Sequence, residues 1–172
     1  MKKFVKKITA VVLSAVLVAG CFAGCSANKA KYTVGVCQLV QHEALDAATE
    51  GFQKALKDKL GDDVKIVVQN AANDPTTCAT ITNQFVSDGV DLIMANATPA
   101  LQSAMQSTTT LPIVATSITS YAVALDIPLD EWTGKTGINV TGTSDLAPLE
   151  EQAKMVNDLT GAKKVGILYC SG

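Results

Sequence analysis

The sequence is 172 residues long, 48% hydrophobic and 5% aromatic, with 14 basic residues, 16 acidic residues, one histidine and a formal charge of −2. Every basic residue is lysine and four of them fall in the first seven positions, so the chain from residue 21 onward sets ten lysines against sixteen acids, a formal −6. That balance lacks the arginine-bearing basic patch of a nucleic-acid binder, and one histidine with no paired Cys/His spacing leaves a zinc site of the usual type without ligands.

Taken in chain order, Lys2, Lys3, Lys6 and Lys7 precede an apolar run from Ile8 to Gly20. The run is shorter than the ~20 apolar residues of a comfortable membrane span. A basic start, a short apolar core and small residues at its end describe a secretory signal. Val18-Ala19-Gly20-Cys21 resembles the lipobox of bacterial lipoproteins, in which cleavage falls before a cysteine that then carries diacylglycerol. Phe22-Ala23-Gly24-Cys25 is a looser second copy. The expected signal is therefore 1–20, with 1–24 as the alternative, and lipidation falls on Cys21 or alternatively Cys25. Buried acyl chains contribute about 0.8 kcal/mol per methylene, so two or three chains hold a domain on a membrane. Residues 21–31 then form the lipidated start and a tether.

Tyr32 to Val40 is β-branched and apolar and reads as a buried strand. From Leu45 the period changes: Leu45, Ala48, Phe52, Ala55 and Leu56 recur at helical spacing, and Gly61 stops the helix. Val64, Ile66 and Val68 alternate in a second strand. Asn73-Asp74-Pro75 opens a second helix, with a capping acid and proline at the first helical position. Its inner face is Cys78, Ile81 and Phe85. Residues 90–97 form a third strand. Thr98-Pro99 opens a third helix with Leu101, Ala104 and Met105 inward, and Leu111 to Ala115 is a fourth strand. Short connections between alternating elements call for a mainly parallel sheet covered by helices. Residues 117–137 break the rhythm as an excursion. Residues 138–145 read as a strand running into a loop, 148–160 as a weakly apolar helix, and Lys163 to Tyr169 as a further strand. That last strand opens a βα unit with no helix after it, so the chain is expected to be an N-terminal fragment. Its domains are then an α/β lobe over 32–140 and, over 141–172, a hinge crossing and the truncated start of a second lobe.

Ligands of open parallel sheets bind beyond the carboxyl ends of the strands. Those ends carry Gln38, Gln41, His42 and Glu43; Asn96, Ala97, Thr98 and Pro99; Thr116, Ser117, Thr119 and Ser120; and Thr141, Gly142, Thr143, Ser144 and Asp145. They are mostly hydroxyls, amides and helix starts, which hold a carboxylate on free N–H groups without arginine. Asn96 and the Thr98-Pro99 start are the first candidates for that role, and Asp145 or Glu43 for an ammonium group. Plainer roles compete. Asp74 and Thr98 serve as helix caps, Gln38 and His42 as loop-packing residues, and Ser144 and Asp145 as turn formers. Cys37 and Cys78 read as buried free thiols. No Gly-x-Ser-x-Gly elbow, phosphate loop or Gly-x-Gly-x-x-Gly is present. Catalysis would have to rest on His42, so the expectation is a non-enzyme with no cofactor.

Four stretches carry a resemblance: VGVCQLVQHEALDAATEGFQKAL (34–56), NAANDPTTCATITNQFVSDGVDLIMANATPALQSA (70–104), LPIVATSIT (111–119) and NVTGTSDLAPLEEQ (139–152). Together the chain resembles the ABC-transporter substrate-binding lipoproteins that include the tryptophan- and tyrosine-binding proteins. The resemblance implies a type I periplasmic-binding fold of two α/β lobes that close on one ligand. It also implies an amino acid as ligand and a permease and ATPase as partners, at the extracytoplasmic face of a bacterial membrane. The cleft segments it implies are Gln38 to Glu43, Asn96 to Pro99, Thr116 to Thr119 and Thr141 to Asp145. Many relatives carry an acid at the position of Gln41, proline at Glu43 and Asp-Pro at Ser120-Tyr121. A receptor of the same fold feeding a signalling partner, and an anchored hydrolase using His42, are the alternative functions.

Overall fold

The computed structural model describes residues 30–168. The signal segment, Cys21, Cys25 and Cys170 lie outside them. The described chain builds one all-parallel sheet from β1 (Tyr32–Gln38), β2 (Val64–Asn70), β3 (Leu92–Asn96), β4 (Ile113–Ile118) and β5 (Val140–Ser144), in the order β2-β1-β3-β4-β5. Helices α1 (Glu43–Leu60), α2 (Pro75–Ser87) and α3 (Thr98–Ser107) connect the first four strands. A short helix, α4 (Tyr121–Ala124), lies in the excursion between β4 and β5, and α5 (Leu149–Thr160) follows the sheet. This is the α/β architecture of the type I periplasmic-binding fold.

The strand order explains the layers. The step from β1 to β2 runs one way across the sheet, and the later steps run the other. Right-handed crossovers therefore put α1 on one face and α2 and α3 on the other. Phe52, Leu56 and Leu60 of α1 pack on Val34, Val36, Val64 and Met94. On the opposite face Cys78, Ile81, Phe85, Leu101 and Ala104 meet Cys37, Ile93, Ala95, Ile113 and Ala115. Adjacent strand residues alternate between the two clusters, as a period of two requires.

The helix ends follow their local chemistry. Gly61, at φ 54°, caps α1 and donates its N–H to Lys57. Asp74 caps α2: Oδ1 accepts from the Thr76 amide at 2.9 Å, and Oδ2 accepts from the Thr77 amide at 3.3 Å and the Thr77 hydroxyl at 2.7 Å. The Thr77 hydroxyl first, and then the Thr76 amide, hold the Asp74 carboxyl below its ordinary pKa. A depressed folded pKa means stabilisation that is complete above the unfolded value and is lost as pH falls through the folded one. Asp74→Ala should therefore lower the melting temperature at pH 7. The gap from wild type should close as the pH drops below about 4. Melting curves from pH 7 to 2 check this, and a gap that stays constant would refute the ionic part of the cap.

Cys37 and Cys78 are free and buried, one from each side of the β1–α2 contact. Burial, and then the neighbouring Cys78 thiol, push the Cys37 thiol far above its ordinary range.

Three expectations change. Ala55 is exposed; the inner face of α1 is instead completed by Thr49, which is buried. The fourth strand runs to Ile118, later than expected, because an irregularity between Ala115 and Ile118 lets it stay paired with β5 up to Ser144. Residues 163–168 form no strand, and Val165, Ile167 and Leu168 are exposed. A strand exists by its ladder partners, and no described segment lies beside this one. The apolar side chains of α5, among them Leu149 and Leu159, are likewise exposed.

Candidate functional site

The carboxyl ends of β1, β3, β4 and β5 lie on one edge of the sheet, tied across by backbone bonds. Leu39 donates to Asn96 at 3.2 Å, Ala97 to Thr116 at 3.1 Å and Asp145 to Ile118 at 3.0 Å. Residues separated by more than a hundred positions thereby form a continuous row.

Hydroxyls dominate the β4–β5 part of the row. Thr116 and Thr143 place their Oγ1 atoms 3.2 Å apart. Ser144 donates its hydroxyl to the Thr119 carbonyl at 3.2 Å and accepts from the Leu146 amide at 3.3 Å. Ser117 sits in the β4 irregularity with φ 57°, a conformation uncommon for a non-glycine residue. Thr143, Ser144 and Asp145 are exposed.

The β3 end is built differently. Asn96 is completely buried; its Nδ2 donates to the Leu45 carbonyl at 2.8 Å and to Thr49 Oγ1 at 2.9 Å. Its Oδ1 has no partner among the described residues. Ala97 follows at φ 91°, ψ 157°, in a region populated almost entirely by glycine. Ala97, rather than Thr98, is the cap residue of α3, and no side chain caps that helix. Thr98 is its first residue, so the capping role expected for its hydroxyl is absent. An uncapped helix start leaves first-turn N–H groups free to meet a negative group.

Gln38, at the end of β1, is buried and occupied inside the lobe. It donates to the Val40 carbonyl at 2.8 Å and to Asp46 Oδ1 at 2.6 Å, and accepts from the Thr49 hydroxyl at 2.6 Å. His42 is the exposed cap of α1, its Nδ1 accepting from the Ala44 amide at 3.2 Å. With Gln41 it lines a surface groove of about 470 Å³ whose other walls are Glu43, Asp46, Ala47 and Glu50, all from α1. The structure thus brings together Asn96, Ala97, Thr98, Thr116, Ser117, Thr143, Ser144 and Asp145, and places Gln41 and His42 on the flank of α1. Among the described residues no three His, Cys, Asp or Glu side chains converge as a metal site, and no helix is long and apolar enough to cross a membrane.

Sequence reasoning missed Thr49 and Asp46. The available signal was a polar residue, Thr49, at helical spacing from Leu45, Phe52 and Leu56 on an otherwise apolar stripe. It also missed the pair formed by Tyr121 and Trp132, whose rings are near-parallel with centroids 6.5 Å apart. Tyr121 donates its hydroxyl to the Ala115 carbonyl at 3.1 Å, which anchors the excursion to β4. Burial pushes its phenol up from the ordinary pKa.

A parallel α/β lobe with a polar row along its carboxyl edge has the form of an open α/β domain that binds small molecules. The sequence profile described as ABC transporter substrate binding protein matches residues 33–172, and the chain belongs to that family. It is 42% identical over 146 residues to the tyrosine-binding protein of Clostridioides difficile, a match covering 83% of this chain and 41% of the relative. The fold is similar to an ABC domain from Streptococcus pneumoniae solved in complex with L-Trp, with TM-score 0.69 and 34% identity, covering 76% of this chain and 44% of that one. It is also similar to the ligand-free, open structure of a substrate-binding protein with adhesive properties from Clostridium difficile. That match has TM-score 0.65 and 38% identity, and covers 74% of this chain and 43% of that one. The chain spans less than half the length of these relatives.

Proposed function

We propose that the full-length protein is a lipid-anchored, extracytoplasmic receptor of an ABC importer that binds an amino acid between this lobe and a second one. The observation that carries the reading is the 42% identity to a tyrosine-binding protein, and the similarity to an ABC domain solved in complex with L-Trp accords with it. The chemistry of the edge supports an amino acid. Along this edge no arginine is present to grip a carboxylate, while the uncapped start of α3 offers amides and a partial positive charge at Thr98. The hydroxyls of Thr116, Ser117, Thr143 and Ser144 supply neutral partners beside it. Asp145, the acid in this row, takes the ammonium group. Gln38 and Asn96, occupied within the lobe, frame the site; Gln41 and His42 border it.

Binding then works by closure. Ligand contacts made from both lobes favour the closed state over the open one, because that state alone has both sets of contacts. A permease and its ATPase receive the closed form, and the anchor on Cys21, or on Cys25, keeps it at the membrane. Thermal shift on the full-length soluble protein with each of the common amino acids tests the ligand class. A true ligand at a hundred times its Kd stabilises by about 2.7 kcal/mol. A clear rise in melting temperature is expected with tyrosine or tryptophan. No rise with any amino acid would overturn the ligand class.

A further inference from the structure

We infer that Thr49, a residue outside the ligand-facing edge, is the positioning residue for that edge, acting through Asn96 on the start of α3. The inference rests on the amino-acid site proposed above. Thr49 lies in the second turn of α1 and is buried. Its hydroxyl proton goes to Gln38 Oε1 at 2.6 Å, and its oxygen accepts from Asn96 Nδ2 at 2.9 Å. One oxygen atom thus joins the end of β1, the end of β3 and the first helix. Asn96 Nδ2 makes its second bond to the Leu45 carbonyl, one turn earlier on α1. Gln38 closes the group through Asp46.

Asn96 Oδ1 is buried and meets no partner among the described residues, so the amide is held through its two Nδ2 bonds to α1 alone. What it fixes is the next residue. Ala97 adopts φ 91°, ψ 157°, and such a conformation persists only where its surroundings over-determine it. The surroundings are the two side-chain bonds of Asn96 and the bond from the Ala97 amide to Thr116. The strained residue aims the first amides of α3 along the carboxyl edge. Thr49 therefore sets the direction of those amides without touching the ligand.

The test uses the full-length protein. Thr49→Val keeps the shape and removes the hydroxyl. The Kd for the amino acid that stabilises wild type should rise about tenfold, the equivalent of one buried hydrogen bond. Thr49→Ser, which keeps the hydroxyl, should restore it to within about twofold. Leu56→Ala, on the same helix but outside the network, should lower the melting temperature while leaving Kd unchanged. Ala97→Gly relieves the strain while keeping the conformation, so it should raise the melting temperature and leave Kd within about twofold of wild type. A readout independent of ligand is hydrogen exchange at the Thr98 and Ala100 amides. Exchange should speed up in Thr49→Val and stay at the wild-type rate in Thr49→Ser. Wild-type exchange at both amides in Thr49→Val would overturn the inference. If Thr49→Val fails to fold, Thr49→Ala takes its place, and a wild-type Kd with wild-type exchange at both amides there would overturn it. Should wild type bind no amino acid, the proposed ligand class falls, and the exchange comparison still decides the role of Thr49.

Discussion

Gly142→Ala should destabilise the lobe by at least ~3 kcal/mol, at or beyond the upper end of ordinary overpacking. A Cβ on Gly142 would lie 1.9 Å from the Ala115 carbonyl oxygen, 2.7 Å from its carbon and 2.2 Å from the Tyr121 hydroxyl. Two of those three atoms are backbone of the neighbouring strand, so rotating a side chain does not clear them. The crowding has a structural cause. Ala115 and Gly142 are partners in the β4–β5 ladder, next to the irregularity that places Ser117 at φ 57°. Tyr121 reaches into the same spot to donate to Ala115. The absent side chain at 142 is what lets strand, carbonyl and phenol meet. Trp132, the sole tryptophan, stacks on Tyr121, so urea unfolding followed by its fluorescence reads the change directly. In a Tyr121→Phe background the Gly142→Ala cost should shrink, because the 2.2 Å contact is gone, yet remain large, because the carbonyl contact stays. A Gly142→Ala midpoint equal to wild type would refute this account of the β4–β5 junction. The same substitution should weaken ligand binding, since Thr143, Ser144 and Asp145 follow Gly142 directly.

That junction shows where a sequence stops being legible. Asp74-Pro75 could be read as a helix start because the cap bonds reach only two and three residues ahead. Gly61 could be read as a helix stop for the same local reason. The parallel sheet covered by helices followed from short connections between alternating elements, a general constraint; the strand order is visible only in the structure. Gly142 looks like a turn glycine within Thr141-Gly142-Thr143, and its actual role depends on a carbonyl 27 residues earlier in the chain. Thr49 is a further case. Its place on the apolar stripe of α1 marks it as buried, but its bonds run to residues 11 and 47 positions away, so the neighbouring sequence does not show its partners. The candidate row was half legible. The strand ends could be enumerated, but which side chains are spent inside the lobe, as Gln38 and Asn96 are, depends on how α1 lies across the sheet. The strand expected at 163–169 is not formed over its described residues, 163–168, on the same ground, since apolar alternation states a capacity for pairing and the partner has to come from elsewhere.

Phe85→Ala should cost about 3–5 kcal/mol, the range for deleting a buried aromatic ring. Phe85 is 1% exposed, on the inner face of α2. The reason for its weight lies opposite, at Gly35 on the interior strand β1. A Cβ at Gly35 would meet the Phe85 ring at 2.6 Å, so the ring lies directly on bare β1 backbone. Glycine within a strand is ordinarily a weakness; here the phenylalanine fills the space a side chain would have taken. Gly35→Ala alone should therefore destabilise by about 1–3 kcal/mol through overpacking. The two positions should also fail to add. Phe85→Leu makes room above β1, and in that background Gly35→Ala should cost less, by a coupling of about 1 kcal/mol or more. Urea midpoints for the four members of the cycle measure it. Strict additivity would mean that ring and backbone do not share one space, and the packing of α2 on β1 would need another explanation. Coupling of the expected sign would identify a contact that fixes the depth of α2 on the sheet, and with it the Cys37–Cys78 contact in the same cluster.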